Sequence, residues 1–287
     1  MVEGNKGNSF LIFAEKQEFE FFIKRKVFPI FFKNIEVGIL SGYSFKRILF
    51  TAEHAKSDRI EVVIGGKREL VAVGDKNTDI LAKLGALNLS SAYLIPWFLR
   101  TEIDASRNPA EIGKGLRLLT SVIGKNRRVF IEIHKNIEKR EELETYHKLI
   151  SLLNPSIIIS IHGMHKKRKY DVILGFGENY SAIGGKKNAF DFKYRFLDYL
   201  DKVFNDLKLK TDLEVGIGKF HYSGTVNYVL QKHVIEKNKI GVQVEFNLKG
   251  RLNKENGLPT VTYQILIQAL GRFMYENFIL KNVFPRF

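Results

Sequence analysis

The chain of 287 residues is 45% hydrophobic and 12% aromatic, enough for a large buried core. It has no run of about 18 apolar residues that would cross a bilayer, and with no cysteine it has neither disulfides nor thiolate metal ligands. The net charge of +15 is spread among acids and apolar residues, with one dense run at Lys166, Lys167, Arg168 and Lys169. A charge so dispersed reads as a Lys-rich solvated surface, and by itself it says little about fold or site.

Met1 to Asn8 mixes acid with base and lacks the basic-then-apolar order of an export signal, so a cytoplasmic protein without a membrane anchor is expected. The next segments are aromatic and β-branched: Phe10 to Phe13, Phe19 to Ile23, Val27 to Phe32, then Ile48 to Thr51. These read as strands, with residues 1–46 a β-rich extension. Beyond them short apolar runs alternate with amphipathic segments, the pattern of a parallel or mixed sheet with helices on both faces. Helices are expected over Thr78 to Leu87, Ile137 to Leu153, Phe190 to Leu207, Thr225 to His233 and Thr260 to Ile279. Strands are expected over Val129 to Ile133, Ser156 to Ile161, Asp171 to Leu174 and Gly241 to Phe246. No linker or repeat divides the chain, which reads as one α/β domain over residues 1–287.

In such sheets the working side chains emerge just past the carboxyl ends of strands. Glu53 and His54 follow Ile48 to Thr51, His162 and His165 follow Ile157 to Ile161, and Glu245 stands near the end of its own strand. Imidazoles and carboxylates recurring at strand ends form the inventory of a hydrolytic zinc site. Each also has a plainer reading, as a hydrogen-bonded core histidine or an edge-strand carboxylate. Arg107, in the turn Thr101 to Pro109, could fork onto a substrate carboxylate or simply pair with Asp104; its local sequence favours the pair.

Taken in order, these segments resemble the N-formylglutamate amidohydrolase family. The resemblance rests on Glu53-His54-Ala55, Asp79 with Gly85-Ala86, Ile103-Asp104-Ala-Ser-Arg107-Asn-Pro109 and Ser160-Ile-His162-Gly-Met. It continues through Asp171 to Gly175, Tyr222-Ser-Gly224, His233 and Val244-Glu245-Phe-Asn247, and covers roughly residues 47 to 275. Ala105-Ser106 and Gly163 depart from the family pattern, and residues 1–46 have no counterpart in it.

The resemblance implies a phosphorylase/hydrolase-like three-layer α/β sandwich with a mixed, mostly parallel sheet, related to the zinc carboxypeptidases. It implies one Zn2+ per chain held by His54, His162 and Asp79, although Asp75 and Glu53 are acidic neighbours able to take the third place. It further implies Glu245 as general base and Arg107 as the anchor of a substrate carboxylate, with His233 polarising the scissile carbonyl and Tyr222 lining the pocket. The expected substrate is a small carboxylate-bearing amide, N-formylglutamate or another N-acyl amino acid. A carboxypeptidase or peptide amidase of the same fold is the nearest rival. A nucleic-acid binder with structural histidines is the rival of another class, and the aromatic N-terminal segment leaves room for a homo-oligomer.

Overall fold

The computed structural model describes residues 2–3, 9–40, 47–166, 168–219 and 222–280. Most of the Met1 to Asn8 segment, and Lys167 of the basic run, lie outside the described residues.

The centre is an eight-stranded sheet. In chain order its strands are β3 (Ile30–Phe32), β4 (Ile35–Ile39), β5 (Ile48–Thr51), β8 (Ala92–Pro96), β11 (Ile157–Met164), β12 (Val172–Gly175), β13 (Val215–Ile217) and β14 (Ile240–Asn247). The spatial order is β13-β12-β14-β11-β5-β8-β4-β3. β14, β11, β5 and β8 run parallel, while β12 pairs antiparallel to β14, and β4 antiparallel to both β8 and β3. The sheet is therefore mixed, as the alternation of elements implied. β11 is almost wholly buried, which its run Ile157-Ile-Ile suits because both faces are covered.

Phe50 of β5 points to one face, against α2 (Thr78–Leu89) and α5 (Val261–Met274). Near them packs α4 (Lys186–Asp206), whose Phe192 and Phe196 meet Phe273 of α5. The opposite face carries α3 (Arg140–Leu153), which buries Leu143, Tyr146, His147 and Ile150, spaced by three and four residues on a single stripe. A short helix over residues 228–235 lies beside it, its His233 stacked on His147. No helix among the described residues is long and apolar enough to cross a membrane.

Two features depart from the sequence reading. Phe19 to Ile23 lies inside a helix, α1 (Lys16–Lys26), and not in a strand. Phe19 and Ile23, four residues apart, share its buried stripe, and the Lys, Gln, Glu and Arg residues that flank them in the helix are good helix formers. The N-terminal strands that are present are β1 (Val2–Glu3), β2 (Ser9–Phe10), β3 and β4. The second feature is a hairpin with no counterpart in that reading. β6 (Asp58–Ile64) and β7 (Lys67–Val73) turn through Gly65-Gly66, both at positive φ, the requirement of a two-residue hairpin turn. Together with β9 (Leu116–Ser121) and β10 (Arg128–Ile133) they enclose a second small core of Val71, Val73, Val122, Val129, Ile131 and Ile133.

Candidate metal centre

β5, β11 and β14 are parallel neighbours, and their register lines up polar residues that interrupt otherwise apolar strands. Ser160 pairs with Thr51 on one side and Gln243 on the other, and two residues further His162 pairs with Glu245. Glu53 follows directly after β5. The first row supports the second. Thr51 Oγ1 and Ser160 Oγ donate to Glu53 Oε1 at 2.7 and 2.9 Å. Gln243 Nε2 donates to Glu245 Oε1 at 2.8 Å. Buried Asn227 ties the row together: its Nδ2 lies 2.9 Å from both Ser160 Oγ and Gln243 Oε1, while its Oδ1 caps the N–H groups of Val229 and Leu230.

The upper row meets a third strand end. The β6–β7 hairpin returns the chain to its starting point, where Asp75 N–H donates to the His54 carbonyl at 2.6 Å. His54 Nδ1 is then 3.1 Å from His162 Nδ1 and 3.3 Å from Asp75 Oδ2, and His162 Nδ1 is 3.8 Å from the same oxygen. The far nitrogen of each ring is held by a buried carboxylate: His54 Nε2 lies 2.7 Å from Asp104 Oδ1, and His162 Nε2 lies 3.2 Å from Glu53 Oε2. His54 Nδ1 hydrogen-bonds Asp75, and against the effect of burial the Glu53 carboxylate raises the His162 pKa to about 9. In a metal-bound form each Nε2–H would face its carboxylate, and both Nδ1 atoms would be free to ligate beside Asp75. A proton on one ring or a metal ion between them would relieve the close approach of the two Nδ1 atoms. Tetrahedral ligand atoms about 2.1 Å from a zinc ion are separated by about 3.4 Å, so the donor set fits such an ion. Among the described residues, His54, Asp75 and His162 are the one group whose donor atoms come this close together.

The surrounding charges favour ionised ligands. Burial pushes the Asp75 carboxyl up, but its hydrogen bond to His54 and the charges of His54, Arg251 and Arg100 hold it well below the usual range. Burial of Asp104 is likewise outweighed, by Arg100, whose Nε sits 2.9 Å from Oδ2, and by His54. Glu245 behaves differently: burial is the largest influence and raises its pKa, with His162 opposing. Arg251 is buried, donates from Nε to the Phe246 carbonyl at 3.0 Å, and also bonds the Lys76 carbonyl. A Cβ at residue 163 would stand 2.2 Å from its Cζ, so glycine at that position makes room for a guanidinium beside the site.

The expected site residues fall into three sets. His54, His162 and Glu245 are brought together. Asp79 is not: it lies in the first turn of α2, its pKa raised by burial, in the field of Lys83 and Glu36, and Asp75 stands with the histidines in its place. The turn at Asn77, whose φ is 66°, separates the two carboxylates. His233 is also set apart. Its ring stacks on His147 at 5.3 Å with Nε2 3.2 Å from His147 Nδ1, and it lines a cavity of about 230 Å³ with Ser151, Lys237 and Lys239. Arg107 keeps its Nε 3.9 Å from Asp104 Oδ2, and that buried Nε has no hydrogen-bond partner. Tyr222 is half-buried under the Arg168 guanidinium, 5.1 Å from its ring, and burial raises its pKa, with the charge of Glu245 among the lesser causes.

No protein-family model matches the chain, and no curated protein matches it by sequence. Solved structures do match. An N-formylglutamate amidohydrolase from Ralstonia eutropha JMP134 superposes with a TM-score of 0.53 at 11% identity, covering 88% of this chain and 100% of that one. A gene product of Agrobacterium tumefaciens gives 0.50 at 12% identity over 88% and 96% of the two chains. A metallo-carboxypeptidase from Burkholderia cenocepacia gives 0.48 at 9% identity, over 90% of this chain and 66% of that one. The sheet with its flanking helices is thus the fold of the first of these proteins.

Proposed function

We propose that the protein is a zinc-dependent hydrolase that cleaves an amide bond of a carboxylate-bearing substrate, an N-acyl amino acid such as N-formylglutamate. The observation that carries this reading is the convergence of His54 Nδ1, His162 Nδ1 and Asp75 Oδ2 with the buried carboxyl of Glu245 beside them. Those three atoms would hold the ion. When bound, zinc supplies a Lewis acid for the scissile carbonyl and lowers the pKa of water.

The remaining work falls to the chain. Glu245, with its pKa raised by burial, is suited to accept a proton from the attacking water and return it to the leaving nitrogen. Gln243 occupies Oε1, which leaves Oε2 to carry that proton. With the metal bound, Asp104 and Glu53 would keep both imidazoles in the tautomer that offers Nδ1. Arg107, with its buried Nε unpartnered and its side chain a quarter exposed, is the group proposed to fork onto the substrate carboxylate and orient the amide. Tyr222 is proposed as a pocket wall. His233 does not touch the metal group, so its contribution to the pocket would pass through His147.

Metal analysis of the purified protein and of His54→Ala and His162→Ala tests this, together with hydrolysis of a panel of N-acyl amino acids and peptides. About one zinc per chain, lost in both variants, with turnover of N-acyl amino acids, is the expected result. A native protein that takes up no zinc, or a metal-free variant that keeps its activity, overturns the reading. Turnover of peptides alone would move it to the carboxypeptidase class.

A further inference from the structure

The two edges of the central sheet differ. At one, β13 is largely buried, and the ring of Tyr170 packs against Gly216. At the other, β3 consists of Ile30, Phe31 and Phe32, exposed by 53%, 60% and 44%, with Phe28 just before it exposed by 85%. Register gives the faces. Ile30 and Phe32 lie opposite Val37 and Ile35, and Phe31 lies opposite Glu36, so apolar side chains stand uncovered on both faces of the strand. Among the described residues its outer backbone edge has no neighbouring strand. Proteins blunt such an edge by keeping it short or with lysine, proline, a bulge or a covering loop. β3 is three residues long and follows Pro29, yet it leaves the Phe31 N–H and C=O and four apolar side chains open. Here the strand itself has no charged residue, and Lys33 just beyond it is paired with Glu141 at 3.3 Å.

We infer that β3 pairs with β3 of a second copy of this chain, antiparallel about a two-fold axis near Phe31, to form one continuous sixteen-stranded sheet. Two observations select this occupant. A free strand edge needs N–H and C=O partners, which a bilayer does not supply and an identical strand does. The strand is self-complementary: with Phe31 opposite Phe31 of the second copy, Ile30 meets Phe32 on one face, and aromatic and branched cross-strand pairs are the stabilising kind. The area bounds the contact. Four side chains with these exposures offer on the order of 450 Å² per chain, so a two-fold contact covering all of it would remove up to about 900 Å², the size of a weak, concentration-dependent interface.

The chain contains no cysteine, which makes a direct test simple. Residues facing each other across an antiparallel pair have Cα atoms about 4.5–5.5 Å apart, within disulfide reach. Phe31→Cys should oxidise to a covalent dimer, whereas Val63→Cys and Phe130→Cys, equally exposed but on the small β layer, should not. Sedimentation equilibrium of the unmodified protein should approach twice the chain mass as concentration rises, and Phe31→Lys should keep the single mass, with zinc content and circular dichroism unchanged. A monomer at every concentration, or cross-linking no faster than in the two controls, would overturn the inference. So would sedimentation of the protein with phosphatidylserine vesicles that is lost in Phe31→Lys, since the patch would then serve a lipid surface. None of these readouts depends on catalysis.

Discussion

His54 and His162 face each other through Nδ1 at 3.1 Å while the opposite nitrogen of each ring rests on its own buried carboxylate, Asp104 at 2.7 Å and Glu53 at 3.2 Å. The two rings come from ends of adjacent strands, so folding of the sheet itself creates the pair. Both carboxylates are anchored in turn. Asp104 Oδ1 takes the N–H and hydroxyl of Ser106, and Glu53 Oε1 takes Thr51 and Ser160. A donor pair held this firmly costs little to reorganise when an ion arrives.

The third ligand is the first consequence. Asp75→Asn should lower zinc affinity severely, because the neutral amide is a weak ligand and removes a negative charge from between two imidazoles. Asp79→Asn should leave affinity unchanged within about twofold, since that carboxyl is outside the group. Competition against a chromophoric chelator reads both. Equal losses in the two variants would place Asp79 at the metal.

In the proposed site the carboxylates behind the rings would act on the metal at one remove. Asp104→Asn and Glu53→Gln should each weaken zinc binding by about 10- to 100-fold, the usual effect of removing an outer partner of a ligating histidine. Asp104→Asn should be the harsher in stability as well, because it leaves Arg100 buried without its 2.9 Å partner. Thermal melts with and without added zinc separate the two effects. An Asp104→Asn protein with native zinc affinity would mean that Asp104 does not support His54 as a ligand.

How much of this the sequence could show depended on which signal each residue carried. His54, His162 and Glu245 stood out because a titratable residue at the end of an apolar strand breaks a pattern. Thr51, Ser160 and Gln243 carried the same signal two residues before Glu53, His162 and Glu245, and a reading confined to strand ends passes over them. Asp75 was obscured by the twenty residues between it and His54. They form a hairpin whose ends meet, so sequence distance does not measure spatial distance there. Asn227 fell inside the helix expected over Thr225 to His233, and only tertiary structure shows its amide reaching two strands. α1 was misread because four aromatic or branched residues in five resemble a strand, although the buried pair Phe19 and Ile23 follows helical spacing.

Glu245→Gln separates binding from chemistry. The amide is nearly isosteric and keeps its contact with Gln243, so zinc content and KM should hold while kcat falls by about 10²- to 10⁴-fold. Gln243→Leu should be milder and should shift the acid limb of the kcat profile, since the hydrogen bond it removes touches the same carboxyl. An unchanged kcat in Glu245→Gln would remove this residue from the proton transfer.

α2 and α5 approach β5 at glycines. A Cβ on Gly85 would lie 2.3 Å from Phe50 Cε1, and one on Gly271 would lie 2.8 Å from Phe50 Cζ; the ring is fully buried. Alanine at residue 85 would gain at most about 1 kcal/mol of helix propensity but overpack a ring that has nowhere to move, at about 1–3 kcal/mol. Gly85→Ala should therefore lower the urea midpoint, and Phe50→Leu in the same chain should recover part of the loss as a positive coupling. Simple additivity would show that the helix shifts to accommodate the methyl group.

The stacked pair His147 and His233 makes stability sensitive to acid. Burial pushes His147 down to about 3 and His233 down to about 4, with neighbouring charges adding to the depression in both. Both folded-state values lie below the ordinary 6.5, so the sign follows directly. Above pH 6.5 neither ring is protonated, folded or unfolded, and neither biases the equilibrium. As pH falls below 6.5 the unfolded chain takes up two protons that the folded chain refuses, so stability declines until the folded values are reached. The slope due to this pair is at most about 2.7 kcal/mol per pH unit. Unfolding free energies at pH 7, 6 and 5 should fall more steeply in the native protein than in a His147→Gln, His233→Gln double variant. Metal ligands are common to both proteins and cancel in the comparison. Parallel profiles would mean that the pair is protonated in the folded state and shares a charge with a partner.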